Sequence, residues 1–347
     1  MATLKAPYPY SNNVIYGTTL NDTITGGYGN DTIYAGGGKN KIYATAGNNL
    51  IYGGNGGDTI YGGTGSDVIR AGDGKDLIYL KSGHNYLFAG AGNDTIHGGS
   101  GNDTIFGCSG SNKINAGGGN NFIYGGTGDD TICGSKGNDT IFGGSGNDLI
   151  YAKGGNNIVF TGAGNNKVYS SCSGDTLVAG SGNNLLKADG GGDYLWSGIG
   201  GNDTLMGGCG NDYLIGGTLG NNYLQGGTGS DIYVIDFRNL TDPNQPPGQH
   251  VDSIGYNFIK DTGGACDQLL LCGVDKSELR FAQMGKYDLK IEVVGVDGYI
   301  VIQDYYKTCG RIEEIKCVAN NPYKLPNIDL SVIGADLAAH QDSGFWG

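Results

Sequence analysis

Four segments of the chain read GGYGNDTIY at Gly26–Tyr34, GGTGSDVIR at Gly62–Arg70, GGSGNDTIF at Gly98–Phe106 and GGSGNDLIY at Gly143–Tyr151. They share the nine-residue pattern GGxGxDxUx, in which U is a large aliphatic residue. Self-similarity at a short fixed period indicates a solenoid, in which each repeat is one structural unit stacked on its neighbours. This repeat therefore decides the fold.

The sixth position of the repeat holds Asp or Asn along most of the chain. It recurs every nine residues from Asn13 to Asp193 and reaches Asp231 after two intervals of ten. Its carboxylates are the candidates to hold the Gly-rich turns together, because a hard cation such as calcium takes oxygen ligands. They are Asp22, Asp31, Asp58, Asp67, Asp76, Asp94, Asp103, Asp130, Asp139, Asp148, Asp175, Asp193, Asp203, Asp212 and Asp231.

The two halves of the repeat have different physical roles. Glycine allows a positive φ and close backbone approach, so the first six residues predict a turn. The last three predict a short strand of period two, with U pointing inward. Two repeats then make a coil of eighteen residues with one strand on each side. Side A denotes the strands that follow Asn13, Asp31 and every second repeat thereafter, and side B denotes the alternate strands.

Composition supports an all-β, parallel β-roll or β-solenoid that needs a cation. The chain has 70 glycines and a formal net charge of −13, which argues against nucleic acid as a partner. A narrow aliphatic ladder is too thin a core to offset chain entropy alone, so the acidic turns need a counter-ion. No apolar run reaches the roughly 18 residues of a membrane helix, so we expect no membrane insertion.

The repeat resembles the nonapeptide repeats of RTX (repeat-in-toxin, haemolysin-type calcium-binding) proteins. The resemblance implies a parallel β-roll with Ca²⁺ held between same-side turns of successive coils, by the carboxylates of position six and by turn carbonyls. An alternative stays open at this point. A β-helix held by ladders of Asn side chains would need no metal.

Asn substitutions predict unequal metal sites. On side A, Asn and Asp alternate at position six from Asn13 to Asp175, whereas side B places several Asp residues in succession. A site with fewer charges binds calcium more weakly, so a pair of Asn turns such as Asn166 and Asn184 is expected to be weak or empty. The pairs expected to bind best are Asp58 with Asp76, Asp76 with Asp94, Asp130 with Asp148, and Asp175 with Asp193.

The residues that flank U point outward and differ between the two sides. Side B mixes Thr and Lys with tyrosine, whereas side A is largely apolar. Strand propensity alone explains aromatic residues on both sides but not this difference, and a large exposed apolar patch usually marks an interface. The side-A residues expected in a contact are Tyr16, Tyr34, Tyr52, Phe88, Phe106, Tyr124, Phe142, Phe160 and Trp196.

Four segments are expected along the chain. Residues 1–10 form an N-terminal segment too short for a folded cap, so either it folds over the first coil or a neighbour covers that coil. Residues 11–235 form the calcium-binding β-roll. Residues 236–325 form a β-rich C-terminal cap. By the resemblance, the tail at 326–347 is an uncleaved type I secretion signal. Strands are expected after the repeats at Ile232–Asp236, Gln268–Cys272, Tyr287–Val294, Tyr299–Tyr305 and Ile312–Val318.

The motifs point away from catalysis. None of the four histidines lies in HExxH, and no GxSxG is present, so we expect no enzyme. We expect a secreted structural protein, located extracellularly or at the cell surface, that self-assembles into a filament, sheath or surface layer. Its partners would be itself and the type I secretion machinery. The alternative is an adhesin or a ligand-binding module that uses the flat aromatic face for a surface, glycan or ice.

Overall fold

The computed structural model describes residues 1–217, 219–237, 253–264, 266–305, 307 and 312–318. Within this part of the chain the secondary structure is almost entirely strand, with one short 3-10 helix at Lys276–Glu278. No helix among these residues has the length and apolar character needed to cross a membrane. The fold is all-β, as the repeat predicts.

Side A is a sheet of 15 strands among the described residues. All of them pair in parallel, each with the strand one coil away. The strands are Val14–Thr18, Thr32–Gly36, Leu50–Asn55, Val68–Asp73, Tyr86–Ala91, Thr104–Phe106, Phe122–Thr127, Thr140–Ser145, Ile158–Ala163, Thr176–Val178, Tyr194–Trp196, Tyr213–Gly216, Ile232–Asp236, Gln268–Cys272 and Glu314–Val318.

Side B is a second sheet, with 18 strands among the described residues. Its pairings are parallel except within the last three strands, which form an antiparallel meander. The strands are Thr3–Lys5, Thr23–Gly27, Lys41–Thr45, Thr59–Tyr61, Leu77–Tyr79, Thr95–His97, Lys113–Asn115, Thr131–Lys136, Leu149–Gly154, Lys167–Tyr169, Leu185–Gly190, Thr204–Cys209, Tyr223–Gly229, Ser253–Lys260, Gly263–Gly264, Leu279–Met284, Asp288–Val293 and Asp297–Gln303.

The register of both sheets follows the repeat. Ile33 pairs with Ile51 and Ile42 with Ile60, so residues eighteen apart in sequence are stacked directly on one another. Where the spacing of position six stretches to ten, the pairing distance grows to nineteen, as between Leu186 and Leu205. The chain is therefore a parallel β-solenoid, as predicted.

The core is wider than the single aliphatic ladder expected from the pattern. The U residues are fully buried, and so are residues at position one of the following repeat, such as Ala35, Leu80 and Thr161. Position one lies two residues after U, so the period of two that points U inward points this side chain inward as well. Repeats with a larger residue than Gly at position one thus supply two side chains to the core.

Close stacking explains the glycines of the turns. Gly83, at position four, has a φ of +110°, and a Cβ built on it would lie 1.9 Å from the carbonyl oxygen of Gly65 in the preceding coil. A left-handed φ and a backbone atom in direct contact both exclude a side chain. Gly118, at position three, has no such φ and open space around its Cβ position.

The N-terminal segment adds a strand to the solenoid. Thr3–Lys5 pairs in parallel with Thr23–Gly27 on side B. The N–H of Ala2 donates a hydrogen bond of 2.7 Å to a carboxylate oxygen of Asp22. Residues 2–5 thus lie against the first strand of side B.

Both sheets continue beyond residue 235, where we expected the β-roll to end. On side A, Gln268–Cys272 and Glu314–Val318 extend the sheet, and on side B, Ser253–Lys260 does so. The strands expected at Ile232–Asp236 and Gln268–Cys272 have the expected bounds, but the strands at Ser253–Lys260 and Leu279–Met284 were not foreseen. A cap at 236–325 remains a prediction, and the tail at 326–347 lies outside the described residues.

Replacing Gly83 by Ala should destabilise the solenoid, whereas replacing Gly118 by Ala should not. The left-handed backbone alone costs roughly 1–2 kcal/mol for a residue with a Cβ, and the contact with the Gly65 carbonyl adds to it. Urea unfolding followed by circular dichroism would measure both variants. Equal midpoints for the two variants would contradict the turn geometry described here.

Candidate functional site

The position-six carboxylates form a hydrogen-bonded column along each side of the solenoid. All fifteen Asp residues expected as ligands are buried. The N–H of Asp58 donates to Oδ1 of Asp76 at 2.6 Å, and the N–H of Asp76 donates to Oδ1 of Asp94 at 2.8 Å. One carboxylate oxygen of each residue is therefore used to tie its coil to the preceding coil.

The other carboxylate oxygen is left without a partner in most of these turns. It points back into its own turn: a Cβ built on Gly53 would lie 2.6 Å from Oδ2 of Asp58. A buried charged atom without a hydrogen bond is costly, so the turn needs a positive charge or a proton. Buried Oδ2 atoms without a hydrogen-bond partner belong to Asp31, Asp58, Asp67, Asp76, Asp94, Asp103, Asp130, Asp139, Asp148, Asp193, Asp212 and Asp231.

In turns with Asn at position six, both polar atoms of the side chain have hydrogen-bond partners within the protein. Oδ1 of Asn49 accepts the N–H of Asp31 at 2.9 Å, as a carboxylate would. Its Nδ2 donates to the carbonyl of Gly47 in its own turn, also at 2.9 Å. The amide thus supplies a donor at the place where an Asp turn has an unpaired oxygen. Asn ladders and metal sites can occur in the same solenoid, because Asn turns are stabilised by hydrogen bonds and Asp turns have an oxygen available for a metal ion.

Neighbouring carboxylates add to the cost of burial. On side B, burial together with the charges of Asp94 and Asp58 raises the pKa of Asp76 to about 7. On side A, where Asn49 donates to Asp67, burial raises the pKa of Asp67 to about 6. Where Asp turns follow one another, the neighbouring carboxylates repel each other, and a cation between them would relieve this repulsion.

Two of the expected ligands are already satisfied by the chain. Oδ2 of Asp22 accepts hydrogen bonds from the N–H and the hydroxyl of Thr18, both at 2.7 Å, and these bonds lower its pKa. Oδ2 of Asp175 accepts a hydrogen bond from the Ser170 hydroxyl. These two carboxylates need a cation less than the others, although Asp175 belongs to one of the pairs expected to bind best.

The column on side A extends further than the repeat pattern indicated. The N–H of Asp231 donates to Oδ1 of Asp267 at 2.7 Å, and the N–H of Asp267 donates to Glu313 at 2.6 Å. Sequence reasoning missed Asp267, although Leu269 follows it at the spacing of U and is fully buried. The spacing of two residues between Asp267 and Leu269, as between position six and U, is the signal that could have identified this turn.

A family comparison agrees with this geometry. The profile of the RTX calcium-binding nonapeptide repeat matches residues 16–51, 52–87, 81–112, 109–141, 134–168, 173–201 and 197–232, which is more than half of the chain. The chain belongs to the RTX family. A search of curated proteins gives no match. RTX repeats are calcium-binding motifs, so Ca²⁺ is the cofactor of this RTX protein.

The described turns fit the ion. Calcium prefers oxygen ligands and tolerates irregular coordination, and the unpaired Oδ2 atoms are buried carboxylate oxygens of this kind. When bound, calcium supplies the positive charge that these turns lack. The chain itself supplies the rest of the arrangement, since the backbone N–H groups of the preceding coil hold each carboxylate in place.

The aromatic face of side A is less exposed than expected. Tyr16 and Tyr34 are 68% and 38% exposed and stack at 5.2 Å, but Phe106 and Phe142 are only 5% and 9% exposed. In the middle of the sheet, rings at positions seven and nine pack together, as Phe106 does with Phe122. The remaining expected contact residues are half-buried: Tyr52, Phe88, Tyr124, Phe160 and Trp196.

Side B has a groove lined by aromatic rings. Tyr43, Tyr61, Tyr79 and His97 stack one above another with ring centroids 4.9, 5.1 and 4.8 Å apart. They line a groove of ≈ 540 Å³ that Lys81 also borders. Sequence analysis placed the aromatic surface on side A, because it compared residue types and not the shape that the stacked rings make.

Replacing Asp76 by Asn should lower the number of calcium ions bound per chain and stabilise the metal-free protein. The amide would remove a buried charge and donate to the Gly74 carbonyl, as Asn49 does to Gly47. We expect a gain of about 1–3 kcal/mol in calcium-free buffer. Calorimetric calcium titration and urea unfolding measure the two effects. The matched control is Asp297→Asn, because Asp297 is exposed and lies outside the repeats, and it should change neither quantity.

Acid should have opposite effects on the two forms of the protein. Burial raises the pKa of Asp58 and Asp103 from an ordinary 3.8 to about 6, so the folded metal-free chain binds more protons than the unfolded chain between these values. Its stability should therefore rise as pH falls from 8 to 5. With calcium bound, the same protons compete with the ion and stability should fall. Melting temperatures in calcium-stripped and calcium-containing buffers measure both slopes, and parallel slopes would contradict the assignment.

Proposed function

We propose that this RTX protein is a secreted, calcium-stabilised structural protein that assembles with copies of itself at the cell surface or in the extracellular matrix. The observation that carries the proposal is the exposed tyrosine column at the start of side A. Tyr16, Tyr34 and Tyr52 stack with ring centroids 5.2 and 4.9 Å apart and interplanar angles of 7° and 4°. Tyr16 and Tyr34 stay exposed.

A stacked column of this kind suits a partner that is also a parallel solenoid. Strands in any sheet lie about 4.8 Å apart, so a second copy presents rings at the same interval and the two columns can pack edge against edge in register. Burial contributes roughly 25 cal/mol per Å² of apolar surface, and part of this is offset by the loss of translational and rotational freedom. The rigid sheet limits the further cost of ordering side chains.

Location and export follow from the family as part of the proposal. RTX repeat proteins are generally secreted. We infer that this chain is exported by type I secretion machinery that reads the tail at 326–347, and that calcium binds after export. The proposal assigns no catalytic activity, because neither HExxH nor GxSxG is present in the sequence.

A second candidate function is ligand binding in the side-B groove. Flat rings of Tyr43, Tyr61 and Tyr79 beside the polar groups of Lys81 and His97 combine an apolar wall with a few polar atoms, as small-molecule sites usually do. This favours a module that binds a linear ligand such as a glycan. It places the site on side B and not on the flat face that sequence analysis considered.

Replacing Tyr16 and Tyr34 by Ser should weaken self-association in calcium while leaving the melting temperature nearly unchanged, because both side chains point away from the core. Analytical ultracentrifugation and negative-stain microscopy measure assembly. The control replaces Tyr151 and Tyr169, a stacked pair on side B, by Ser. Assembly that survives the side-A change would refute the proposed contact. A parent protein that stays monomeric and loses glycan binding on Tyr61→Ser would favour the second candidate.

A further inference from the structure

The exposed lysines of the solenoid are concentrated on side B. Within residues 1–217, seven of them lie in the strands of side B or just after these strands, whereas the strands of side A contain one cation, Arg70. None of the seven forms an ion pair with another described residue. They are Lys5, Lys41, Lys81, Lys113, Lys136, Lys153 and Lys167.

Acidic side chains do not balance these lysines. Within residues 1–217 every Asp except Asp73, Asp129 and Asp189 occupies position six and is buried, and Glu is absent from this part of the sequence. Asp189, the exposed acid in a strand of side B, is paired with Lys187 at 2.9 Å. The chain as a whole is acidic, but the surface that side B presents to solvent is positively charged.

Two of the lysines occupy a backbone conformation that the repeat otherwise reserves for glycine. At position two Gly63 has a φ of +97°, and Lys81 and Lys153 hold φ values of 77° and 65° at the same position. A left-handed φ is unfavourable for a residue with a Cβ, and such strain is found mainly where the side chain has a function. Position two after a side-A strand has one such residue in residues 1–217, Cys108. After side-B strands the left-handed residues are Thr45, Lys81, Ser135, Lys153 and Asp189.

The groove of side B lies between the ring ladder and the residues of position two. The four rings from Tyr43 to His97 are stacked with interplanar angles of 3–6°, so they cover one another's faces and present their edges. Thr45 and Lys81 border the groove at position two, and glycines in the alternate coils leave gaps between them. At the first ring, Nζ of Lys41 lies 5.4 Å from the Tyr43 ring centroid. The groove therefore combines ring edges and phenol hydroxyls with ammonium groups.

We propose that side B binds a linear acidic polysaccharide along the solenoid axis. Ammonium groups such as those of Lys41 and Lys81 bind its anionic groups, because a charge-assisted hydrogen bond is stronger than a neutral one. The tyrosine hydroxyls of the groove, which both donate and accept, bind its sugar hydroxyls. This inference goes beyond assembly through side A and rests on the second candidate function, to which it adds the charge of the ligand.

The spacing of the lysines favours a sparsely charged polymer. Lys5, Lys41, Lys81 and Lys113 follow one another on every second coil of side B. Every second coil corresponds to roughly 10 Å along the axis, whereas duplex DNA carries one charge per roughly 1.7 Å. A polysaccharide with an anionic group on some of its sugars and hydroxyls on all of them matches isolated ammonium groups beside a row of phenol hydroxyls.

The first test uses the unaltered full-length protein with calcium. The probes are short hyaluronan chains, which carry a carboxylate on every second sugar, and the same chains after reduction of the carboxylates to alcohols. Calorimetry should show the charged chains binding at least about tenfold more tightly, because hydrogen bonds to charged groups are the stronger ones. Equal affinity for both probes overturns the acidic ligand but leaves the second candidate function, whereas binding of neither overturns both. Tighter binding of duplex DNA of equal length also overturns the proposal.

The second test separates binding from stability. Replacing Lys41 and Lys81 by Gln should weaken binding of the charged chains about tenfold, and the matched control replaces Lys39 and Lys75, exposed lysines at position five of the turns. An equal loss in both double variants overturns the proposal. Lys81→Gly, which restores the usual residue of position two, should weaken binding without lowering the melting temperature. A lower melting temperature with unchanged binding would show that Lys81 is structural and also overturns it. Contacts through side A enter neither test, so failure here leaves the proposed assembly untouched.

Discussion

The structure depends on neutralising buried carboxylates that the chain itself leaves unpaired. In an Asp turn one oxygen binds a backbone N–H of the preceding coil, and the other lies buried without a donor, as in Asp58 and Asp76. The two-column core of each coil is narrow, so it cannot offset many such charges. Calcium binding and folding are therefore linked by the same atoms.

The residue at position six, Asp or Asn, decides which turns of the solenoid need a cation to neutralise a buried charge. The side-chain amide of an Asn donates a hydrogen bond to a carbonyl of its own turn, as Asn49 does to Gly47. A carboxylate has no proton to donate there and needs a cation instead. Alternation on side A spaces the charges out, and the succession on side B concentrates them. The negative charge is most concentrated at the last repeat, where two carboxylates from beyond the repeats lie next to that of Asp231.

The same parallel stacking that aligns the carboxylates also orders the surface. Residues eighteen apart lie one above another, so a tyrosine repeated at that interval becomes a ladder of stacked rings on either side. Rings in a ladder cover one another, and only those with few neighbours, such as Tyr16, keep a large exposed area. The proposed contacts rest on these exposed ends and on the groove beside the ring ladder of side B.

The repeat alone determined the solenoid, its eighteen-residue register, the inward U column and the two columns of buried Asp, because each depends only on neighbours at a fixed sequence distance. Tertiary structure decided three further features. Phe106 is buried by rings of another column, such as Phe122. Both sheets pass residue 235, and Asp261 meets Asp231 and Asp267. These features depend on packing between columns, or on pairing across segments whose length breaks the period, and a one-dimensional pattern carries no information on either.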